Sequence, residues 1–408
     1  MTAGDAKLDG LLDDAGASQP RTIALRRSLH RHPEVGLQLP RTQRAVLDAI
    51  GDLGLEVRTG RSVTSVMAVL DGARPGPTVL LRGDMDALPL REDTGLEFAS
   101  QVEGAMHACG HDTHVAMLAG AARLLAGRRE DLAGRVVFMF QPGEEGLHGA
   151  RYMLEEGLLD QAGDGAAPVG AAFALHISTQ YESGTLNLRA GPAMASGDRI
   201  EIVVRGRSGH ASAPYRALDP VPIACEIVQA LQLLVTRKVD VFDPAVITIA
   251  RIAAGTTHNI IPETAELYGT MRTLSERNRE ALRGQVVQVA EGIAAAHGAT
   301  ATVDVEAGYP VTVNDAAAAD LLGGVAAELV GSDRVRVLPD PVMGSEDFSY
   351  VLQRVPGAMG FLGACPPGVD PEEAPPNHSR QVVFDEDALA VGVATYAGIA
   401  LRQLGAGG

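Results

Sequence analysis

Lysine is nearly missing from this chain: Lys7 and Lys238 are the only two among 408 residues, and arginine supplies the rest of the 34 basic side chains. Basic residues as a class are also outnumbered, 34 against 51 acidic ones, for a formal charge of −17. An acidic surface of that size repels phosphate backbones and anionic lipid, which argues against nucleic acid or a membrane as partner. Cysteine is scarce too. Three thiols, Cys109, Cys225 and Cys365, cannot staple a chain this long, so a reducing cytoplasm is the expected location. The opening stretch MTAGDAKLDGLLDDAGASQP has no basic start followed by an apolar run, and no signal peptide is expected from it. No apolar run reaches the roughly 18 residues of a membrane span. Fixed-period repeats and low-complexity segments are likewise missing.

What is present is a globular composition, 46% hydrophobic and 21% charged, in a chain long enough for two domains. Three apolar runs, TVLLRGDMDALP, RVVFMFQPGEEG and GAAFALHIST, each read as a buried strand that stops at polar residues. Between the first two, THVAMLAGAARLLAG suits a buried helix. Strand–helix–strand alternation implies a mostly parallel mixed sheet flanked by helices, with a site beyond the carboxyl ends of its strands. From residue 194 the pattern changes to β-α-β-β-α-β: a four-stranded antiparallel sheet with two helices, an α+β sandwich. The α/β style returns at GYPVTVND. We therefore expect a discontinuous catalytic domain, 1–193 and 309–408, with an inserted lid or dimerisation domain at 194–308.

Chemistry concentrates in AMHACGHDTH, residues 105–114. Cys109 and His111 offer the thiolate and imidazole that zinc and its neighbours prefer, and His107 and His114 share the same ten positions. Nothing in the spacing separates these four. In QPGEEG, Glu144 and Glu145 offer one carboxylate for a metal and a second as general base toward water; taken alone, the pair is better accounted for by an acidic helix start. Asp84 and Asp86, two apart at a strand end, suit metal ligation, support of a ligand imidazole, or a turn. His176 closes an apolar strand and His378 lies in a loop, PPNHSRQ, with no local signal.

In combination, these stretches resemble the M20 metallopeptidase clan, in particular the branch of hippurate hydrolases, N-acyl-amino-acid amidohydrolases and auxin-conjugate hydrolases. The matching stretches are LHRHPEVG, LRGDMDALPL, MHACGHDTHVAML, QPGEEGLHGARYML, GHASAP, NIIPETAELYGTMRT, GSEDFSY and NHSRQVVFDEDAL, in the family's order over nearly the whole chain. The resemblance implies Cys109, His111, Glu145, His176 and His378 as ligands of two divalent metal ions, and Glu144 as general base. Zinc, cobalt and nickel suit these donors, and manganese is common among relatives. It implies that Asp86 supports the ligands rather than binding, and that His107 and His114 are not ligands. It further implies that His210 stabilises the oxyanion from a partner subunit, and that Asn259 and Arg272 hold the substrate carboxylate, a task suited to a guanidinium fork.

The expected activity is hydrolysis of the amide bond of N-acyl amino acids, in a homodimer formed through the inserted domain or in a tetramer. A dipeptidase or carboxypeptidase of the same family, and an idle small-molecule binding protein on the same fold, are the alternatives. The chain departs from the family pattern after His176, at His258 and after His378. These departures lie near the expected pocket and bear on the substrate rather than on the reaction.

Overall fold

The structure, a computed structural model, describes residues 8–160 and 167–405. The first seven residues, part of the stretch read above for a signal peptide, lie outside it. The chain divides into two compact units. The first comprises the described residues of Met1–Ala193, Val313–Asp340 and Tyr350–Gly408, and the second comprises Met194–Thr312 and Pro341–Ser349.

The first unit is built on an eight-stranded sheet. Its order is Glu56–Thr59, Val66–Asp71, Ala133–Gln141, Arg74–Asp84, Val169–Glu182, Gly357–Cys365, Leu186–Leu188 and Val335–Val337. The three central pairings, from Ala133–Gln141 through Gly357–Cys365, are parallel, and antiparallel pairings frame them. Parallel strands are covered on both faces, which is why their sequences run apolar without alternation. Gly357–Cys365 is buried at every position, and Arg74–Asp84 from Thr78 onward.

Helices Leu11–Arg31, His111–Gly127 and Ala388–Leu404 pack against one another, and the last two also against the sheet. Ala388–Leu404 and His111–Gly127 are rich in alanine and glycine, so their axes approach closely. A Cβ at Gly392 would stand 2.1 Å from the Met117 sulfur. Both helices are buried around most of their circumference, as expected for helices without a clear polar stripe.

One strand departs from the sequence expectation. The apolar run ending in ALHIST does not stop at His176 but continues to Glu182. The neighbouring strand Gly357–Cys365 pairs with it as far as Glu182, and those ladder bonds hold the backbone extended past the chemistry. His176 is therefore a mid-strand residue.

The second unit has the β-α-β-β-α-β order, with an antiparallel sheet ordered Ala245–Ala254, Thr264–Thr273, Gly197–Arg205, Thr300–Tyr309. Its helices begin at side-chain caps: Asp219 accepts from the Val221 N–H, and Ser275 from the Asn278 N–H. Alternation along Gly197–Arg205 sends Ile200, Ile202 and Val204 into a core shared with Ile227, Leu231 and Val286. This core is separate from that of the first unit.

Candidate metal centre

Cys109 and His111 are placed by the glycine between them. Gly110 has φ +95°, a left-handed conformation, and caps the helix His111–Gly127. A Cβ there would stand 2.3 Å from the Ile177 Cγ2. Only glycine fits both demands, and the resulting turn puts the thiol and the first helical imidazole on one side.

His111 is oriented through its other ring nitrogen. Its Nδ1 donates to the Asp86 carbonyl at 2.8 Å, which leaves Nε2 as the metal-facing atom, the usual arrangement for a ligand imidazole. The Asp86 side chain works on the other side of the site. Its Oδ1 accepts the Glu144 N–H at 2.9 Å and its Oδ2 the Glu145 N–H at 3.0 Å. One buried residue thus aligns a histidine and the two-glutamate turn.

His176 donates from Nδ1 to the Ile177 carbonyl at 2.8 Å and brings Nε2 to 3.4 Å from the Cys109 sulfur. His378 sits at φ +70°, and its Nε2 lies 3.3 Å from the same sulfur and 3.2 Å from Glu145 Oε1. Its loop is pinned by its own N–H to the Ala108 carbonyl and by Asn377, whose side-chain amide donates to the carbonyls of Cys109 and Ile177. Two three-donor groups result, Cys109–His111–His176 and Cys109–Glu145–His378, with ligand atoms within 4.8 Å of one another in each. They share a single sulfur. A third group, His111–Glu144–Glu145, brings Glu144 to the same place.

The donor set fits divalent cations. His111 Nε2 is a buried atom with no hydrogen-bond partner among the described residues, and it lies 4.0 Å from Glu145 Oε1. Buried polar atoms left without a partner are costly, and a cation between such donors removes the cost. The protonation pattern agrees. Burial pushes the Cys109 thiol up, while hydrogen bonds to Cys109 and then Glu145 push His378 up to about 10. Burial disfavours a charged His111, but the Asp84 carboxylate and Cys109 outweigh it and raise its pKa well above the ordinary value. His176 is driven well below, first by burial and then by His114. A cation displaces the protons that Cys109, His111 and His378 hold, whereas His176 is already neutral and ready to bind.

The geometry separates what the sequence left together. His114 is consumed elsewhere: its Nδ1 bonds to Asp84, and its Nε2 accepts the Ile177 N–H at 2.8 Å. Asp84 in turn is held by the buried Arg82, which also donates to Gln141. Burial pushes the His107 imidazole down to about 3, so it is neutral, and neither ring nitrogen has a hydrogen-bond partner among the described residues. Asp112 ties down the helix Leu11–Arg31 through Arg26 at 2.9 Å and His30 at 2.8 Å. Asn377 and Arg82 were not legible as site residues in the sequence, although Asn377 adjoins His378 in PPNHSRQ.

In the second unit, His210 and Asn259 lie side by side. Ile260 pairs with His210, and the Ala211 N–H donates to the Asn259 carbonyl at 3.1 Å. His210 Nδ1 accepts from the Ser212 N–H and hydroxyl, so its Nε2 carries the proton. Arg272, half-buried on Thr264–Thr273, donates to the Ser345 hydroxyl at 2.9 Å, and burial lowers its pKa.

Residues 80–402 match the family model described as peptidase family M20/M25/M40. The chain belongs to that family. This M20 protein is 39% identical over 405 residues to thermostable carboxypeptidase 1 of Saccharolobus solfataricus, covering 97% of this chain and 98% of the relative. It is 38% identical over 389 residues to the N-acetylcysteine deacetylase of Bacillus subtilis, covering 95% and 98%. The crystal structure of the Bacillus subtilis YXEP protein, described as a dinuclear metal binding peptidase from the M20 family, superposes with a TM-score of 0.80. That pair is 35% identical, and the match covers 95% of this chain and 98% of the other. The M20 chain is accordingly a metal-dependent hydrolase acting on amide bonds. No helix among its described residues is long and apolar enough to cross a membrane.

Proposed function

We propose that this M20 hydrolase cleaves the amide bond of N-acyl amino acids, with Glu144 as general base and Cys109, His111, Glu145, His176 and His378 holding two divalent cations. The supporting observation is the pair of three-donor groups that share the Cys109 sulfur, with Glu144 on the same Asp86-aligned turn as Glu145. Bound cations supply Lewis acidity and lower the pKa of water to around 7. Glu144 Oε takes a proton from the attacking water and delivers it to the leaving nitrogen. The Nε2–H of the partner subunit's His210 donates to the oxyanion, the kind of fixed donor that contributes roughly 3 kcal/mol; its tautomer, set by Ser212, supports that direction. Arg272 and Asn259 take the carboxylate of the amino acid, orienting the scissile carbonyl.

This reading makes the segment 194–308 a lid and dimerisation domain, and the protein a homodimer or a tetramer. It also places the chain in the cytoplasm, in keeping with three free cysteines.

A carboxypeptidase reading is favoured by one observation, that the carboxypeptidase relative is as similar as the deacetylase. A panel of N-acetyl amino acids, N-benzoyl amino acids and dipeptides, assayed with the metal-loaded protein, separates the two. The proposal requires the highest kcat/KM among the acyl amino acids. Preference for dipeptides across the panel rejects it.

A further inference from the structure

The turn that carries Glu144 and Glu145 also holds a conformational outlier. His148 has φ +58°, and it and His378 are the only two non-glycine residues at positive φ among the described residues. Such backbone is unfavourable for any residue with a Cβ. Elsewhere the same turn meets the demand with glycine, at Gly143 with φ +69° and at Gly146 with φ +82°. A histidine placed where glycine would be at ease needs a reason in its side chain. His378 has one in its donor group, whereas His148 belongs to none of the donor groups.

The side chain of His148 is engaged. Its Nδ1 and the Tyr350 hydroxyl share a hydrogen bond of 2.9 Å, and both residues are half-buried. The two lie 202 positions apart in the chain and within the first unit. The bond therefore ties the turn to the short helix Ser349–Leu352.

Asp86 grips the other end of the turn, at the N–H groups of Glu144 and Glu145. One carboxylate on two successive amides is a pivot, about which the segment can rock. Past the glutamates the turn closes on itself, because the Gly149 N–H donates to the Gly143 carbonyl at 3.0 Å. The closure is tight: a Cβ on Gly149 would stand 1.6 Å from the Pro142 oxygen. Residues 143–149 thus form one closed loop, and a hold on His148 is also a hold on both glutamates.

We propose that His148 is a positioning residue, which together with Tyr350 clasps the loop 143–149 and fixes the Glu144 and Glu145 carboxylates at the metal centre. The inference rests on the roles proposed for those two glutamates and adds a second anchor to the one at Asp86. It accounts for the strain, since glycine at 148 has no side chain to offer Tyr350. It also makes the identity of the bonded atom matter. Nδ1 is attached directly to Cγ, the place that an asparagine amide group takes, and that amide can turn either its oxygen or its N–H toward a phenol. Asparagine also tolerates left-handed backbone.

The test compares His148→Gly, His148→Asn and Tyr350→Phe with wild type as cobalt-loaded, full-length proteins, assayed on whichever substrate of the panel is cleaved fastest. His148→Gly loses a bond and relieves the backbone, effects of similar size, so its melting temperature should stay within about 3 °C of wild type. Its kcat should fall at least about tenfold, with KM changed by less than about twofold, because a displaced base slows the chemistry rather than binding. Tyr350→Phe should behave alike, and the double variant should be no slower than either single one. His148→Asn should recover most of the rate. The visible absorption of bound cobalt reports its ligands, so through Glu145 it should shift in His148→Gly and return in His148→Asn. Wild-type kcat in His148→Gly overturns the inference, as does a loss that His148→Asn fails to rescue. A rate that falls only in step with melting temperature, or additive losses in the double variant, overturns it too. Preference for dipeptides rejects the proposed substrate, and full turnover in Glu144→Gln rejects the base; neither alters the cobalt spectra, so the two readings fail separately.

Discussion

Replacing Asp86 with alanine is the sharpest test of how the centre is held together. Asp86 is 1% exposed, and its two carboxylate oxygens are committed to the N–H groups of Glu144 and Glu145. The third contact, from His111 Nδ1, goes to the main-chain carbonyl and survives the substitution. The cost is therefore that of two main-chain donors left unpaired. At about 1–3 kcal/mol for each, Asp86→Ala should destabilise the first unit by about 4 kcal/mol. Asp86→Asn keeps the shape and one acceptor and should cost about half as much. Urea unfolding followed by circular dichroism in the presence of chelator reads this term free of metal linkage. Supporting groups of this kind typically contribute 10–100-fold to metal affinity or activity, so competition with a chromogenic chelator should show a loss in that range for the alanine variant. A variant within about 0.5 kcal/mol of wild type, with unchanged metal affinity, would refute the claim that Asp86 aligns the glutamate turn.

Three further outcomes follow from the same geometry. Glu144→Gln should retain bound metal yet lose at least about a thousandfold in turnover, and mixing it with His210→Ala should restore part of the activity; near-wild-type turnover in Glu144→Gln removes it as the base, and no recovery on mixing argues against a shared site. Gly110→Ala must adopt a left-handed backbone and crowd Ile177, so it should cost about 3 kcal/mol and depress metal content, measured by unfolding and elemental analysis; a neutral effect would contradict the packing around Cys109. Burial lowers the pKa of His30, but Asp112 and Glu92 outweigh that and raise it above 6.5. Because the folded value exceeds the unfolded one, the stabilisation from His30 is complete below about pH 6.5 and fades as pH rises through the folded pKa. The stability gap between wild type and His30→Gln should accordingly narrow from pH 6 to 9, and a gap that widens over that range would reverse the sign.

Most of the fold was legible because burial leaves direct marks on sequence. The near-continuous apolar runs TVLL and VVFMF announce strands covered on both faces, and alternation in RIEIVV announces the one-sided sheet of the second unit. Chain order then gave β-α-β-β-α-β without further information. The sequence ends the strand at His176 because the continuation to Glu182 depends on a partner nearly two hundred residues later, and local composition carries no trace of that partner. The site was legible as a set of residues but not as a division of labour. Four donors crowd residues 105–114, and only direction distinguishes them: His111 opens a helix after a left-handed glycine, whereas His114, one turn on, faces Asp84 and the Ile177 amide. Asp84 and Asp86 read alike at a strand end, yet Asp84 serves Arg82 and His114 while Asp86 serves the glutamate turn. Asn377 was missed because its work is done on carbonyl groups, which every residue carries.

The most direct measurement is the metal content of the purified protein beside that of Cys109→Ala, by elemental analysis after equilibration with zinc or manganese. A sulfur common to both donor groups predicts about two equivalents in the wild type and loss of metal from both sites, not one, in the variant. Full metal content in Cys109→Ala would contradict the account.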